Sequence, residues 1–282
     1  MDDITRVLSL NDIPLAVVDV ETTGASFAYG DRVVEIGIVR IEAGQVVHEV
    51  QQLLNPGRPM TGGASRVTGI TDLMLFDQPS FAEVWPACRS VLTGCVIVGH
   101  NVTFDLSFLD GECRRFGSSL RNDLGEADVL DTCRLARKLL GRGGNGLQRL
   151  ADRFDLPRTT AHRALADCQT TAMLLHKLLE PLGGWATPLN DALARQGGSV
   201  KLPDPAVRPA SPLADDIADL LIAGRMVQIT YVDAKRQQTE RRVTPRYVRR
   251  QAGRLTLVAH CHTRNADRMF TLTQIVRVEH CE

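Results

Sequence analysis

The chain has 282 residues, which exceeds one typical domain and leaves room for two. Apolar residues make up 44% of it and charged residues 23%, so the composition excludes a disordered chain and allows ordinary buried cores. The formal net charge is zero, but residues 225–277 carry twelve Lys and Arg against three acidic residues. That local surplus indicates a polyanion as partner.

The cysteines and the N-terminal residues bear on the compartment. The seven cysteines form no CxxC pair and lie mostly in apolar patterns, which predicts reduced, buried thiols. Met1 to Asn11 lack a basic patch followed by an apolar stretch, and no run approaches the roughly 20 apolar residues of a membrane span. We therefore expect a soluble, cytoplasmic protein without a membrane partner.

The first predicted elements are strands. Leu15 to Glu21 is a short β-rich run that ends in Thr-Thr-Gly, and Val33 to Ile41 predicts a second strand. Residues 42–45, Glu-Ala-Gly-Gln, predict a hairpin turn into a third strand, Val46 to Leu54.

Helices alternate with strands over the next hundred residues. Ser80 can cap a helix that runs to Leu92, with a kink or interruption expected at Pro86. A buried strand is expected over Cys95 to Val98, followed by an amphipathic helix over Thr103 to Phe116. Further helices are predicted over Val129 to Leu140, Leu147 to Phe154 and Ala164 to Leu182. This order favours an α/β layer with a mixed sheet.

The character of the chain changes after residue 182. Glycine and proline punctuate residues 183–212, which predicts a linker with a short helix near Asn190–Arg195. A helix over Leu213 to Ala223 is expected next. Five β-prone segments then predict a small barrel or sandwich: Val227–Val232, Arg241–Thr244, Tyr247–Arg250, Leu255–His260 and Met269–Val278. The predicted division is thus a domain over 1–182, a linker over 183–212 and a second domain over 213–282.

Four acidic residues from distant segments suggest a metal site. Asp19 and Glu21 are two apart in a strand, so both carboxylates project from one face and repel unless a cation neutralises them. Asp105 falls in the first turn of a helix that follows a strand, and Asp167 lies inside a helix. Hard oxygen ligands select Mg²⁺ or Mn²⁺. Two such ions, about 3.5–4 Å apart, can stabilise the attacking and leaving oxygens of a phosphodiester.

His162 has a different expected role. A five-residue offset is about 140° around a helix, so His162 cannot share a helical face with Asp167. It is therefore expected in the loop or first turn after Thr159-Thr160, on a mobile edge of the metal site. An imidazole there suits deprotonation of the attacking water. Taken singly, these groups would more often be a solvated strand face, a helix cap and a surface histidine.

The motifs around these residues resemble the DEDDh exonuclease family of the polymerase III epsilon type, over the first ~182 residues. The matching stretches are VVDVETTG, VVEIGIVRI, VTGIT, IVGHNVTFD, VLDTCRLARKLL and HRALADCQTTAMLL. The resemblance implies a ribonuclease-H-like fold and removal of nucleotides from a 3′ end. It implies that His162 is the general base and that the metal ligands are Asp19, Glu21, Asp105 and Asp167.

The same resemblance implies a pocket for the terminal nucleotide. Thr22 would hold that nucleotide through its backbone, and Asn101 and Phe104 would line the same pocket. Val67 resembles the apolar wedge that such enzymes place against the terminal base. The residue after the wedge is often His in the family, whereas here it is Thr68.

The C-terminal segment resembles a WYL domain through residues 227–231, 241–245, 268–270 and 274–275. That resemblance implies a small Sm/SH3-like barrel that binds nucleic acid or nucleotides, often as a regulatory sensor. The Trp-Tyr-Leu triad is absent, and Leu-Thr-Leu at 255–257 occupies its place. The candidate nucleic-acid-binding residues are Arg241, Arg242, Arg246 and Arg268, which can track a phosphate backbone. The alternative is a merely solvated basic face, since few aromatics are present to stack bases.

Together these patterns predict a Mg²⁺- or Mn²⁺-dependent 3′–5′ exonuclease that releases nucleoside 5′-monophosphates from DNA 3′ ends. The basic module would raise the local concentration of nucleic acid. No polymerase-tethering segment is recognisable, which favours DNA repair or degradation over proofreading. Two alternatives stay open: trimming of short RNA in the manner of an oligoribonuclease, and a catalytically idle nucleic-acid sensor. The expected partner is DNA, as a single strand or at its 3′ ends. The sequence does not decide between DNA and RNA.

Overall fold

Two five-stranded sheets organise the described part of the molecule. The computed structural model describes residues 7–157, 160–206, 217, 220–221, 224–233, 236–251 and 254–281. The first sheet contains β1 (Leu15–Thr22), β2 (Val33–Glu42), β3 (Gln45–Leu53), β4 (Val96–Gly99) and β5 (Val129–Asp131). Its strand order is β3-β2-β1-β4-β5, antiparallel from β3 to β1 and parallel from β1 to β5. The predicted mixed sheet is confirmed.

Helices cover both faces of this sheet. They are α1 (Gly62–Thr68), α2 (Asp72–Leu75), α3 (Phe81–Leu92), α4 (Thr103–Arg115), α5 (Leu120–Leu124), α6 (Thr132–Leu140), α7 (Leu147–Arg153), α8 (Ala164–Leu179) and α9 (Leu189–Gln196). Even-numbered residues of β1, such as Val18, pack into a core with α3 and α4. Odd-numbered residues, such as Val17, pack into a second core with α6, α8 and α9. The period of two along β1 therefore decides which face each side chain serves.

The predicted helix over Val129 to Leu140 is wrong in its first three residues. Val129 and Leu130 pair with β4 as a buried parallel strand, which a short apolar run cannot reveal from its periodicity alone. Asp131 then starts α6, because its carboxylate accepts hydrogen bonds from the backbone N–H groups of Cys133 and Arg134.

The other helices follow the sequence with small changes. Pro86 lies inside α3 without interrupting it. Ser80 precedes α3, and its backbone N–H donates to the Glu83 carboxylate at 2.7 Å. Helix α8 ends at Leu179, earlier than predicted, and continues as a 3₁₀ turn over Glu180–Leu182 because Pro181 has no N–H to donate.

Part of the predicted linker packs on the first sheet. The short helix expected near Asn190–Arg195 is α9, whose Leu189 and Leu193 are buried in the core beneath α8. The Gln196 side chain donates to the carbonyl of Val129 and accepts from the N–H of Asp131, so it extends the pairing of β5. The end of the linker, residues 207–212, lies outside the described residues. The division into domains remains a prediction.

Gly37 allows α8 to approach the first sheet beside Asp19. It lies in β2 opposite Asp19 of β1. A Cβ atom at Gly37 would lie 2.3 Å from the backbone of Ala164, the first residue of α8. Only a residue without a side chain therefore lets α8 begin against this part of the sheet.

The second sheet is antiparallel throughout, in the order β10-β6-β7-β8-β9. Its strands are β6 (Val227–Val232), β7 (Gln238–Gln251), β8 (Arg254–Cys261), β9 (Ala266–Thr271) and β10 (Ile275–His280). The strands predicted over 241–244 and 247–250 are one strand, β7, whose register shifts between Pro245 and Tyr247. The strand predicted over Met269–Val278 is two, separated by a 3₁₀ turn at Leu272–Gln274.

Closure of this sheet into a barrel remains a prediction. Most of the helix expected over Leu213–Ala223 lies outside the described residues. Ile217, Leu220 and Leu221 are helical there and are buried in the core of the second sheet. All seven cysteines are free, and six of them are buried. In the described ranges, no helix combines the length and apolarity needed to cross a bilayer.

Candidate metal and nucleotide site

Strand β1 presents the first two carboxylates. Asp19 and Glu21 are both half-buried, and they pair across β2 with Gly37 and Glu35. They lie on the odd-numbered face of β1, the face that α8 covers. The sequence placed them on one face, and the strand geometry agrees.

Asp105 reaches the same strand from the opposite helical layer. It lies in the first turn of α4 and is buried, with 4% of the residue exposed. Its Oδ1 atom accepts a hydrogen bond of 3.0 Å from the backbone N–H of Val20, the residue between Asp19 and Glu21. A helix that follows a parallel strand thus returns its first-turn carboxylate to the neighbouring strand.

Asp167 and His162 complete the cluster. Asp167 is buried in the first turn of α8, and its Oδ2 accepts a hydrogen bond of 2.9 Å from the backbone N–H of His162. One potential ligand atom from each of Glu21, His162 and Asp167 lies within 4.8 Å of the others. The His162 side chain is exposed and its backbone is left-handed, with φ +60°, an uncommon conformation outside glycine. His162 thus lies in a loop before the helix, as the sequence argument required.

Burial and neighbouring negative charges raise the pKa of all four carboxyl groups. Burial is the largest cause in each case. It raises the pKa of Glu21 to about 8 and that of Asp105 to about 7. The pKa of Asp19 is raised well above its usual range by burial and then by the charges of Asp105, Glu21 and Asp167. Burial also raises the pKa of Asp167, against the hydrogen bond from His162. Such a set is unfavourable when ionised alone and favourable around divalent cations, so these residues fit the implied metal ions.

The residues expected to hold the terminal nucleotide lie on β1, after β4 and on α4. Thr22 is buried at the end of β1, and its hydroxyl donates to the carbonyl of Gly24 at 2.6 Å. Asn101 follows β4 with φ +61°, and its N–H donates to Asp131 at 3.0 Å. The half-buried Phe104 ring packs 4.8 Å from Phe108.

Val67, the expected wedge, lies on α1 and is 56% exposed. Its neighbour Thr68 is buried. The Thr68 hydroxyl donates to the carbonyl of Ala64 and accepts from the N–H of Ile70, so this side chain closes the end of α1. Thr68, at the position where the family often has His, therefore stabilises the end of α1.

Sequence reasoning missed the group that anchors the His162 loop. Glu35 is fully buried in β2, and its carboxylate accepts hydrogen bonds from the Arg163 guanidinium at 2.8–3.2 Å and from the Ala164 N–H at 3.1 Å. Burial alone would raise the pKa of Glu35, but hydrogen bonds from Arg163, Gln51 and Ala164 outweigh it and lower that pKa. An acidic residue in the apolar run Val-Val-Glu-Ile-Gly was the available indication.

Two further residues border the site. Gln148 of α7 donates to Asp167 at 3.1 Å. His100 contacts the Thr132 hydroxyl and the carbonyl of Asn145, both at 2.9 Å, and so fixes the glycine-rich segment before α7. That segment, α7, His162 and Asp167 enclose a cleft of about 410 Å³. Asp167 is the member of the four carboxylates that lines this cleft.

The four C-terminal arginines do not form one group. Arg241 and Arg268 line a cleft of about 250 Å³ together with Arg264, which sequence reasoning missed, and Tyr231. Arg242 lines a second groove with His262 and Glu240, and Arg241 borders this groove as well. Arg246 lies 3.2 Å from Asp267 in an ion pair. The first cleft is therefore the candidate phosphate-binding surface of this sheet.

The mixed sheet and its flanking helices form the ribonuclease-H-like α/β fold that the resemblance implied. A family model described as Exonuclease, of the RNase T type, matches residues 16–175. The chain therefore belongs to this exonuclease family. A second model, described as WYL domain, matches residues 212–280. Both predicted resemblances are confirmed.

Relatives and solved structures agree with this assignment. The chain is 33% identical over 190 residues to a PolC-type DNA polymerase III of Bacillus subtilis, covering 67% of this chain and 13% of that protein. It is 32% identical over 174 residues to the 3′-5′ exonuclease DinG of Bacillus subtilis, covering 61% of this chain and 18% of that protein. The chain thus spans less than a fifth of each relative's length. The fold is shared with Escherichia coli exonuclease I in complex with a dA16 oligonucleotide, with a TM-score of 0.53, 16% identity, and 88% and 55% of the two chains covered.

Proposed function

We propose that the chain is a metal-dependent 3′–5′ exonuclease that releases nucleoside 5′-monophosphates. The observation that carries this proposal is the gathering of Asp19, Glu21, Asp105 and Asp167 from three distant segments, with pKa values raised by burial and by neighbouring negative charges. No structural purpose accounts for four mutually repelling carboxyl groups beside an exposed cleft. The buried carboxylate of Glu35, by contrast, is neutralised by an ion pair with Arg163.

Each residue of the site has a proposed task. Asp19, Glu21, Asp105 and Asp167 would hold two divalent ions, Mg²⁺ or Mn²⁺. When bound, such ions neutralise the charge that develops on the attacking and leaving oxygens. His162, exposed on its loop beside Asp167, accepts the proton of the attacking water. The Asp167 carboxylate fixes the backbone of that loop and so orients the imidazole.

The terminal nucleotide would lie between the end of β1 and α1. Thr22, Asn101, Phe104 and Val67 would border this space. An exposed valine on a short helix offers an apolar surface to a base, and every base has a face that can stack on it. DNA 3′ ends are the proposed substrate, with RNA ends as the alternative, since the complex of Escherichia coli exonuclease I holds an oligodeoxynucleotide.

The second sheet would bind the body of the nucleic acid. The cleft of Arg241, Arg264 and Arg268 offers cationic groups for backbone phosphates. We further propose that this sheet closes into the Sm/SH3-like barrel, because β7 is long and shifts register at Pro245, which allows a strand to bend. Action in repair or degradation, apart from a polymerase, remains the proposed setting.

The test uses a single strand labelled at its 3′ end, as DNA and as RNA, with Mg²⁺ or Mn²⁺. The wild type is expected to release labelled mononucleotides, and His162→Ala and Asp19→Asn to lose this activity with an unchanged circular dichroism spectrum. Faster release from DNA than from RNA would support the DNA assignment, and the reverse would favour the RNA-trimming alternative. Equal inertness of wild type and variants would contradict the proposal and favour a nucleic-acid sensor.

A further inference from the structure

A single 3₁₀ turn contacts a core of the first sheet and the core of the second sheet. The turn Phe27–Tyr29 lies in the loop between β1 and β2. Phe27 is buried in the core beneath α4, edge-to-face against Phe108 at 6.0 Å. Tyr29, two residues later, packs against the core of the second sheet. The loop that leaves the carboxylate strand is therefore held between the two sheets.

Arg58 locks this loop to the second sheet. Its guanidinium lies 2.9 Å from the Asp31 carboxylate and donates to the carbonyl of Gly30 at 2.5 Å. The same group lies 4.2 Å from the centre of the Tyr247 ring, within the range of a cation–π contact. The Arg58 side chain is only 3% exposed. Arg58 therefore connects the Asp31 carboxylate and the Gly30 carbonyl to the Tyr247 ring of β7.

The backbone at Gly30 also accommodates the close approach of Tyr247. Gly30 has φ +78°, and a Cβ atom there would lie 3.2 Å from the Cα of Tyr247. A glycine thus permits both the turn and its contact with β7. The register shift of β7 falls at this point, between Pro245 and Tyr247.

The loop held in this way leads directly to the nucleotide pocket. Thr23, next to Thr22, donates from its hydroxyl to Asp31 at 3.2 Å. The carbonyl of Thr23 accepts from the N–H of Thr61, which caps α1, the helix that carries Val67. An error in the position of Asp31 would therefore be transmitted to both sides of the pocket.

The opposite end of the loop is tied to the helix of Asp105. Arg32 makes a bidentate pair with Glu112 of α4 at 2.6 and 2.8 Å. Elsewhere at the contact of the two sheets, Arg115 of α4 donates to the carbonyl of Leu221. These contacts anchor the ends of the loop on the first sheet, while the middle of the loop packs against Tyr247.

We propose that Arg58 and Tyr247 are positioning residues for the 3′-terminal nucleotide, so that the second sheet forms part of the catalytic unit. This inference rests on the proposed exonuclease function. It differs from a tethered binding module, which would only raise the local concentration of nucleic acid. A module that places pocket residues changes the rate on substrate that is already bound, whereas a tether changes only how readily substrate binds.

The experiment is single-turnover cleavage of a 3′-labelled DNA single strand at increasing concentrations of the full-length enzyme. The saturating rate reports on bound substrate, and the half-saturating concentration reports on binding. Tyr247→Leu removes the ring beneath Arg58, Tyr247→Phe keeps it, and Arg58→Lys keeps the charge but not the planar guanidinium. Arg277→Ala, which removes an exposed arginine of β10 paired with Glu279, is the matched control.

Tyr247→Leu is expected to lower the saturating rate about tenfold, since small displacements of reacting groups are costly. Tyr247→Phe should keep the wild-type saturating rate. Arg58→Lys should also lower the saturating rate, with a smaller loss of folding stability than Tyr247→Leu. Arg277→Ala should leave both the saturating rate and the half-saturating concentration unchanged. Saturating rates within twofold of wild type for both Tyr247→Leu and Arg58→Lys would overturn the inference. An inert wild type would instead contradict the proposed function.

Discussion

The two sheets carry charge in opposite ways. At the end of the first sheet, four acidic groups from distant segments are buried or half-buried together, and burial raises the pKa of each. On the second sheet, the half-buried Arg241 of β7 and the exposed Arg268 of β9 line one cleft. Charges that are costly to gather demand a function, whereas exposed arginines are tolerated without one. The first region therefore supports a sharper proposal than the second.

Removal of a carboxylate from the first region should have the largest effect. Asp167→Asn is expected to lower the exonuclease rate by at least about 1,000-fold, because one oxygen ligand and the anchor of the His162 loop weaken together. Release of mononucleotides from a 3′-labelled strand measures this. The control is Asp191→Asn, the same change on the exposed surface of α9. Similar rates for the two variants would equate the buried cluster with ordinary surface charge.

Glu35→Gln tests the anchor that holds residues 162–164. Loss of one charge should weaken the bidentate contact to Arg163 and lower the maximal rate about 10- to 100-fold, while Mn²⁺ still binds. Isothermal titration with Mn²⁺ and the nuclease assay separate the two effects. Glu49→Gln, on the exposed edge strand β3, is the matched control and should retain full activity. Equal loss of metal affinity and rate would make Glu35 part of the metal site itself.

The pH dependence of metal stabilisation follows from the raised pKa values. The folded protein without metal holds protons on Glu21 up to about pH 8 and on Asp105 up to about pH 7. The unfolded chain has lost these protons at lower pH, so stability is fully present below the ordinary carboxyl range and declines as pH rises through about 7–8. Divalent cations replace the protons. Mg²⁺ should therefore raise the melting temperature more at about pH 8.5 than at about pH 6.

Thermal unfolding with and without Mg²⁺ at both pH values measures this difference. The Asp19→Asn variant should show a smaller difference, because it removes one of the repelling charges. A Mg²⁺ effect that is larger at the lower pH would contradict the proposed coupling of protons and metal.

The smallest effect is expected on the second sheet. Arg268→Ala should weaken binding of single-stranded DNA severalfold and reduce the slope of log K against log salt by about one phosphate contact. Fluorescence anisotropy at several salt concentrations measures the slope. Arg277→Ala, an exposed arginine on β10 paired with Glu279, is the control and should leave the slope unchanged. Equal slopes for both variants would reduce the cleft to a solvated basic face.

Much of the catalytic sheet could be predicted because its local patterns agree with its contacts. Asp19 and Glu21 follow the period of a strand, and Asp105 follows from a helix that starts after a parallel strand. The contact of Glu35 with Arg163 could not be predicted, since 128 residues separate them and neither segment contains a pattern that indicates the other. The first turn of α8 and strand β2 meet only through the folded chain, where Gly37 permits the contact.

The boundaries of the second sheet were less predictable for physical reasons. Pro245 suggested an end to a strand, yet β7 passes through it with a register shift. The 3₁₀ turn at Leu272–Gln274 contains neither glycine nor proline, so residues 269–278 resembled one strand. The contact of Tyr247 with Arg58 joins segments almost two hundred residues apart and leaves no local pattern at all.

The most direct measurement of the central claim is a crystal structure with Mn²⁺ and a nucleoside 5′-monophosphate, with manganese located by anomalous scattering. The account predicts manganese coordinated by oxygens of Asp19, Glu21, Asp105 and Asp167, with the phosphate of the nucleotide bound beside them and His162 within reach. Manganese found elsewhere, or absent from these four carboxylates in a preparation that still degrades DNA, would contradict it.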